Sequence, residues 1–387
     1  MASVVPLRRR QAEVTSGIVI AGGGLAGTAA GCILAAAGED VTIIEREAGP
    51  SHKICGEFLS IEAQTYLRQL GFDVDKLGGH QISRLRLTRD DESIETELPF
   101  LGLGVSRRAL DEAMMHHAAA LGAKLLRGRA ITNISEGRSV TLADGEVLIP
   151  KSLFLATGKH DIRGLRRPSA PETLVGFKMH FDLQPLASMQ LKHFISLILF
   201  RDGYAGIQLI EDNQANLCLL IKRERLRRLG GKWPALLADL CRECPYLARL
   251  LDGATPLLPQ PLTIYRVPYG YVHRPTDDAY KTMFRLGDQA AVIPSFTGDG
   301  MSIALHTARL ASAAYLRGAT AQDYHRQLAS DVSAQIRRAS ALYRLASHQS
   351  THALFFHMVR FLPKMLDLAA SLTRIPERAR VATSLSG

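Results

Sequence analysis

An α/β fold is predicted for this 387-residue chain: a parallel sheet flanked by helices, an inserted antiparallel sheet and a helical C-terminal region. Three observations predict it. A strand–helix–strand pattern runs from Ile18 to Glu45. Period-two apolar alternation recurs in four stretches between residues 173 and 221. A short apolar strand before Gly287 is followed by a Gly-rich turn and a long helical pattern from about Ser302 to Leu316.

The first element starts as Ile18-Val19-Ile20-Ala21, an apolar run that reads as a buried strand. Gly22-Gly23-Gly24-Leu25-Ala26-Gly27 follows, then a helix of small residues to Ala37, then the buried strand Val41-Thr42-Ile43-Ile44. Gly22 permits the tight turn, Gly24 lets backbone approach a pyrophosphate, and Gly27 lets helix and strand pack closely. The N–H groups of Leu25 and Ala26 lie at the positive end of that helix, where phosphate binds. Glu45 closes the second strand 18 residues after Gly27 and is placed to accept hydrogen bonds from a ribose, with Arg46 beside it. This is a dinucleotide site, and alone it does not separate FAD from NAD. Residues 18–38 carry no charge and follow Arg8–Arg10, so hydropathy alone suggests a leader or a membrane span. Five glycines crowded between residues 22 and 31 (22, 23, 24, 27 and 31) argue for the phosphate turn instead.

The third element reads Gly287-Asp288-Gln289, then Pro294 six residues after the Asp, then Gly298-Asp299-Gly300-Met301 opening a helix. This resembles the second FAD motif of the flavoprotein hydroxylases of the para-hydroxybenzoate hydroxylase type and of the geranylgeranyl reductases. The resemblance implies that Asp288 bonds the ribityl chain. It also implies that the N–H groups at Gly298 to Met301 face the flavin pyrimidine edge, where a positive helix end favours reduced flavin. Ser106-Arg107-Arg108-Ala109-Leu110-Asp111 resembles the family helix whose Arg, here Arg107, lies against the cofactor. His52-Lys53-Ile54-Cys55-Gly56-Glu57 resembles the Cys-Gly segment beside the flavin in the reductases, which adds Cys55 and Gly56. The resemblance covers about residues 17–330. It implies a Rossmann-like FAD domain of the glutathione-reductase type, with FAD held non-covalently and NAD(P)H or a reductase partner as electron donor.

The expected division is a flexible extension over 1–16; the FAD domain over 17–77, 101–170 and 266–325; a substrate sheet over 78–100 and 171–265; and a helical region over 326–387. Strands are expected at 173–183, 191–200, 205–211 and 215–221, with turns at Asp202-Gly203 and Asp212-Asn213. The inward residues of this sheet read as mostly apolar, so the expected partner is a lipophilic or aromatic small molecule. His180, Tyr204, Tyr269, Tyr271 and His273 are candidates to orient or deprotonate a hydroxyl; Cys55, Tyr204, Tyr269 and His273 head the catalytic list. The Asp-Gly pair that the hydroxylases carry near Ala156 is Thr157-Gly158 here. The Trp-x-Trp-x-Ile-Pro motif of flavin-dependent halogenases is missing, and Trp233 is the sole Trp.

Composition narrows the classes further. Hydrophobic residues at 47% and charged residues at 22% are globular values. Five cysteines, an odd number, argue against a disulfide framework and for a reducing cytoplasm. Cys241 and Cys244 lack the further pair a metal or cluster would need, and both read as helix residues. The +10 charge is spread without a long run, which reads as a solvated basic surface, with no nucleic-acid partner. The apolar tail from 351 to 374 fits a helix packed across the cofactor domain or lying on a membrane surface. Three activities stand in order: a monooxygenase acting through a flavin C4a-hydroperoxide on a phenolic, quinone-like or polyketide substrate; a C=C reductase of a prenyl or polyene chain; and electron transfer to a quinone.

Overall fold

The computed structural model describes residues 17–135, 139–163, 165–167, 174–274, 282–347, 356, 358–361, 373–376 and 379. Five parallel strands form one sheet in the order Met283–Arg285, Ser152–Leu155, Ile18–Ala21, Val41–Glu45, Lys124–Arg127. Alternation along a strand assigns its two faces. Ile18 and Ile20 pack with the helices Leu25–Ala36, Arg107–Ala120 and Gly300–Leu316. Val19 and Ala21 pack against a three-stranded meander, Ile131–Ile134, Val140–Leu142 and Val147–Leu148. The expected α/β architecture is therefore present.

The first turn shows why glycine is required. Gly22 sits at φ +113°, and a Cβ there would lie 2.4 Å from the Ala156 carbonyl oxygen. A Cβ on Gly27 would lie 1.9 Å from the Gly22 oxygen. The helix can start this close to the strand only with no side chain at either place.

A second sheet of nine strands runs Thr255–Pro256, Leu174–Asp182, Ala215–Lys222, Gly203–Leu209, His193–Phe200, His80–Arg89, Glu92–Gly104 and Phe58–Leu59, with Leu262–Tyr265 also paired to Leu174–Asp182. One face, with Val175, Phe177, Ile207, Leu217 and Leu219, is buried by the helices Trp233–Glu243 and Pro245–Leu251. The opposite residues of each strand face the cofactor domain. Phe58–Leu59 joins the edge of this sheet at Gly104 and Leu103, so the chain from 52 to 57 is drawn between the two layers.

Candidate functional site

The loops that follow the parallel strands meet at their carboxyl ends, the binding edge of an open α/β sheet. Ala156 N–H donates to the Ala21 oxygen at 2.8 Å, and Leu286 N–H donates to the Leu155 oxygen at 2.8 Å. One cleft is lined by Gly24, Leu25, Ala26, Cys55, Gly56, Arg107, Lys159, Asp288, Gly298, Gly300 and Met301. Residues expected from widely separated motifs are thus brought together. Gly22, Gly27, Glu45, Arg46 and Pro294 do not line this cleft. Glu45 accepts from the Gly23 N–H at 2.8 Å and the Glu47 N–H at 3.1 Å, which fixes the glycine turn. Arg46 pairs with Glu47 at 2.9 Å and reaches the His160 ring at 3.1 Å.

The arrangement fits FAD. The helix from Leu25 begins with no capping side chain and no acid in its first turn, so its first N–H groups face the cleft. The Arg107 guanidinium lies 3.5 Å from where a Gly24 Cβ would be, and Asp111 holds it through two contacts of 2.8 Å. The helix from Gly300 also opens without a side-chain cap, after Gly298 turns the chain at φ +73°. Asp288 receives Lys159 Nζ at 3.0 Å. Burial opposes ionisation of Asp288, but Lys159 and Arg167 outweigh it and hold the carboxyl below its ordinary value. Asp288→Ala is expected to weaken FAD binding by about one to two decades, the loss of a charge-assisted hydrogen bond of about 1.5–3 kcal/mol. Recovery of FAD fluorescence on dilution measures it, and unchanged affinity would contradict the placement.

The wall beside Cys55 and Gly56 is held by a buried ionic cluster. Glu57 adopts φ +60° and is fully buried. Its carboxylate accepts from Lys178 Nζ, from the Arg107 N–H at 2.7 Å and from His180 Nε2 at 2.8 Å. Lys178 also donates to the Lys53 oxygen at 2.9 Å. Asn216 donates to the oxygens of Gly56 at 2.8 Å and Cys55 at 3.3 Å, and Gln208 donates to the Glu57 oxygen at 2.8 Å. Lys178, His180, Asn216 and Gln208 all come from the cleft-facing side of the second sheet.

That cluster corrects one expectation. The inward face is not mostly apolar: it divides into a polar half that grips residues 53–57 and an apolar half that walls the cavity. Registered rows show the division. His180, Asn216 and Gln208 form one row; Lys178, Cys218 and Gly206 the next; Gly176, Leu220 and Tyr204 the third. His180 serves the Glu57 cluster and does not line the cavity. A periodic reading foresees which residues share a face, but a polar residue there reads as solvent-exposed until its partner is known.

The apolar half, with Ile195, Leu197, Leu220, Ile264, Val267 and Phe296, lines the same cleft. Within it runs a chain of hydroxyls: Tyr204 Oη lies 2.5 Å from Ser295 Oγ, which lies 2.9 Å from Tyr269 Oη. Burial pushes both tyrosines well above the ordinary phenol range, so both stay protonated. Ser295 follows Pro294 on the loop into Gly298–Met301. A Cβ on Gly206 would meet only Leu197, at 3.8 Å, so this glycine leaves the floor open.

His273 and Tyr271 do not reach the cavity. His273 takes a 3.1 Å contact with the Tyr271 hydroxyl and packs edge-on to His325 at 4.5 Å, and burial pushes it down to about 4. His273 is neutral and structural. Cys241 lies on the helix Trp233–Glu243, but Cys244 is the junction before Pro245–Leu251, not a helix residue. Burial raises both thiols, which disfavours redox work. All five cysteines are free. Most of the apolar tail lies outside the described residues. Among those described, no helix is long and apolar enough to cross a membrane. Glu57, Lys178, Lys159, Arg167 and Ser295 were not foreseen; Ser295 adjoins the expected Pro294, and Glu57 the expected Gly56.

Residues 15–144 match the family model described as FAD binding domain. The menaquinone reductase of Mycobacterium tuberculosis (strain H37Rv) is 28% identical over 323 residues, covering 76% of this chain and 75% of that protein. The crystal structure of PqsL, a probable FAD-dependent monooxygenase from Pseudomonas aeruginosa, superposes with a TM-score of 0.70 at 19% identity, covering 89% of this chain and all of the other. A flavoprotein/dehydrogenase from Cytophaga hutchinsonii gives a TM-score of 0.75 at 17% identity over 92% of both chains. The FAD-binding match and the cleft together identify the chain as an FAD-dependent oxidoreductase.

Proposed function

We propose that the protein is a monooxygenase that hydroxylates a lipophilic phenolic, quinone-like or polyketide substrate. The observation that carries this is the Tyr204–Ser295–Tyr269 hydroxyl chain, set in the otherwise apolar half of the same cleft. Reduced FAD bound in the cleft supplies the activation of O2. The protein's residues do the rest. Ile195, Leu197, Leu220 and Ile264 exclude water and hold the lipophilic body. The two tyrosines accept and donate at a substrate hydroxyl, fixing which ring carbon faces the flavin. Ser295 links them, so the two phenols are held in fixed positions toward a substrate hydroxyl. Gly206 keeps the floor open for a ring or an alkyl chain. The electron donor is NAD(P)H or a reductase partner.

A second reading, reduction of a C=C bond in a prenyl or polyene chain, is favoured by the menaquinone reductases among the relatives and by Cys55-Gly56 in the cleft wall. Oxygen use separates the two. The photoreduced holoenzyme, given O2 and a panel of alkyl phenols, is expected to yield hydroxylated product in proportion to O2 consumed. Reoxidation of the reduced flavin by an anaerobic prenyl substrate, with no phenol hydroxylated, would establish the second reading instead.

A further inference from the structure

We infer that Lys159 is a cofactor ligand, which with Arg107 holds the FAD pyrophosphate beside the glycine turn. Lys159 belongs to Thr157-Gly158-Lys159-His160, which stands where the resembled hydroxylases carry Asp-Gly. The loop abuts the phosphate turn, since a Gly22 Cβ would strike the Ala156 oxygen. Lys159 lines the same cleft as Gly24, Leu25 and Arg107. A diphosphate brings two negative charges, and the turn's N–H groups alone do not neutralise them.

The loop is built to keep this cation in place. Arg167 is almost fully buried, an unusual location for a guanidinium. It donates to the Lys159 oxygen at 2.9 Å, to the Asp288 oxygen at 2.8 Å and to Asp161 at 2.7 Å. Gln289 donates to the oxygens of Gly158 at 2.8 Å and His160 at 3.1 Å. Three successive carbonyls are thus tied down, with Gly158 at φ +61° making the bend. Such anchoring exceeds what a surface lysine needs. It sets Nζ at 3.0 Å from Asp288, whose adjacent Gly287 packs on Ala26 of the phosphate helix. Arg107 thus stands beside Gly24 at the helix start, Lys159 lines the same cleft, and Asp288 keeps a second carboxylate oxygen for the ribityl chain.

Ligands that differ only in the diphosphate test the assignment. The full chain, freed of FAD and shown to rebind it, is titrated with ADP and with AMP. Wild type is expected to bind ADP about tenfold more tightly than AMP. Lys159→Met, which keeps length and loses charge, is expected to remove most of that preference and to weaken FAD by a similar factor, while Lys159→Arg restores most of both. FAD and ADP binding unchanged in Lys159→Met would overturn the inference. So would weaker FAD binding with the ADP preference intact, because Lys159 would then act through Asp288 on the ribityl chain. A wild type that does not distinguish ADP from AMP would also overturn it.

Discussion

Lys178→Met is expected to destabilise the folded protein by about 3–5 kcal/mol, because it leaves the Glu57 carboxylate buried without its cation. Lys178 and Glu57 are both fully buried, so no water replaces the lost partner. The remaining donors, the Arg107 N–H and His180, do not supply a full opposing charge. Burial alone would raise the Glu57 carboxyl, but Lys178 and then His180 outweigh it and depress the folded value. A depressed carboxyl stabilises the fold above its unfolded value and loses that contribution as pH falls through the folded one. Wild type should therefore lose more stability on acidification than the variant. Glu57→Gln combined with Lys178→Met removes both charges and should recover most of the loss, since a neutral buried pair leaves no uncompensated ion. Denaturant titration of the holoenzymes reads all three. A single variant within about 1 kcal/mol of wild type would show that the cluster does not support the fold.

Asp299→Asn is expected to change the pH dependence of stability as strongly. Asp299 lies between the two cleft glycines, almost fully buried. Arg374 reaches it at 3.0 Å but is shared with Glu62, also at 3.0 Å, and the second Asp299 oxygen has no hydrogen-bond partner among the described residues. Burial pushes this carboxyl up to about 7 despite Arg374. The folded state then holds the proton more tightly than the unfolded state, so the contribution is full at pH 4 and is lost as pH rises through about 7. The wild-type stability advantage over Asp299→Asn should shrink by about 4 kcal/mol from pH 4 to pH 8. Parallel curves for the two proteins would show that Asp299 titrates normally.

The fold and the cofactor edge were legible in the sequence because both rest on local pattern. Ile18–Glu45 needs its glycines at fixed offsets, and the strands from 174 to 222 need period-two alternation. The face that each strand turns to the helices then follows from which of its residues are apolar. What was not legible depends on register between distant strands. Nothing near Lys178 in the chain announces Glu57, 121 residues away. Only the pairing of Leu174–Asp182 with Ala215–Lys222 puts Lys178 beside Cys218 and Asn216 beside His180. His273 failed for the same reason in reverse: its type suggested chemistry, and its neighbours, Tyr271 and His325, give it packing instead. Tyr204 and Tyr269 were named from residue type, but their meeting at Ser295 is a tertiary fact.

The fate of oxygen tests the central claim most directly. Reduced holoenzyme is mixed with a long-chain alkyl phenol under 18O2, and the product is analysed by mass spectrometry. The account predicts one 18O atom in a new ring hydroxyl, with incorporation reduced in Tyr204→Phe while FAD content is unchanged. Absence of label from every phenol tested, together with anaerobic saturation of a prenyl double bond at the expense of reduced flavin, would contradict it.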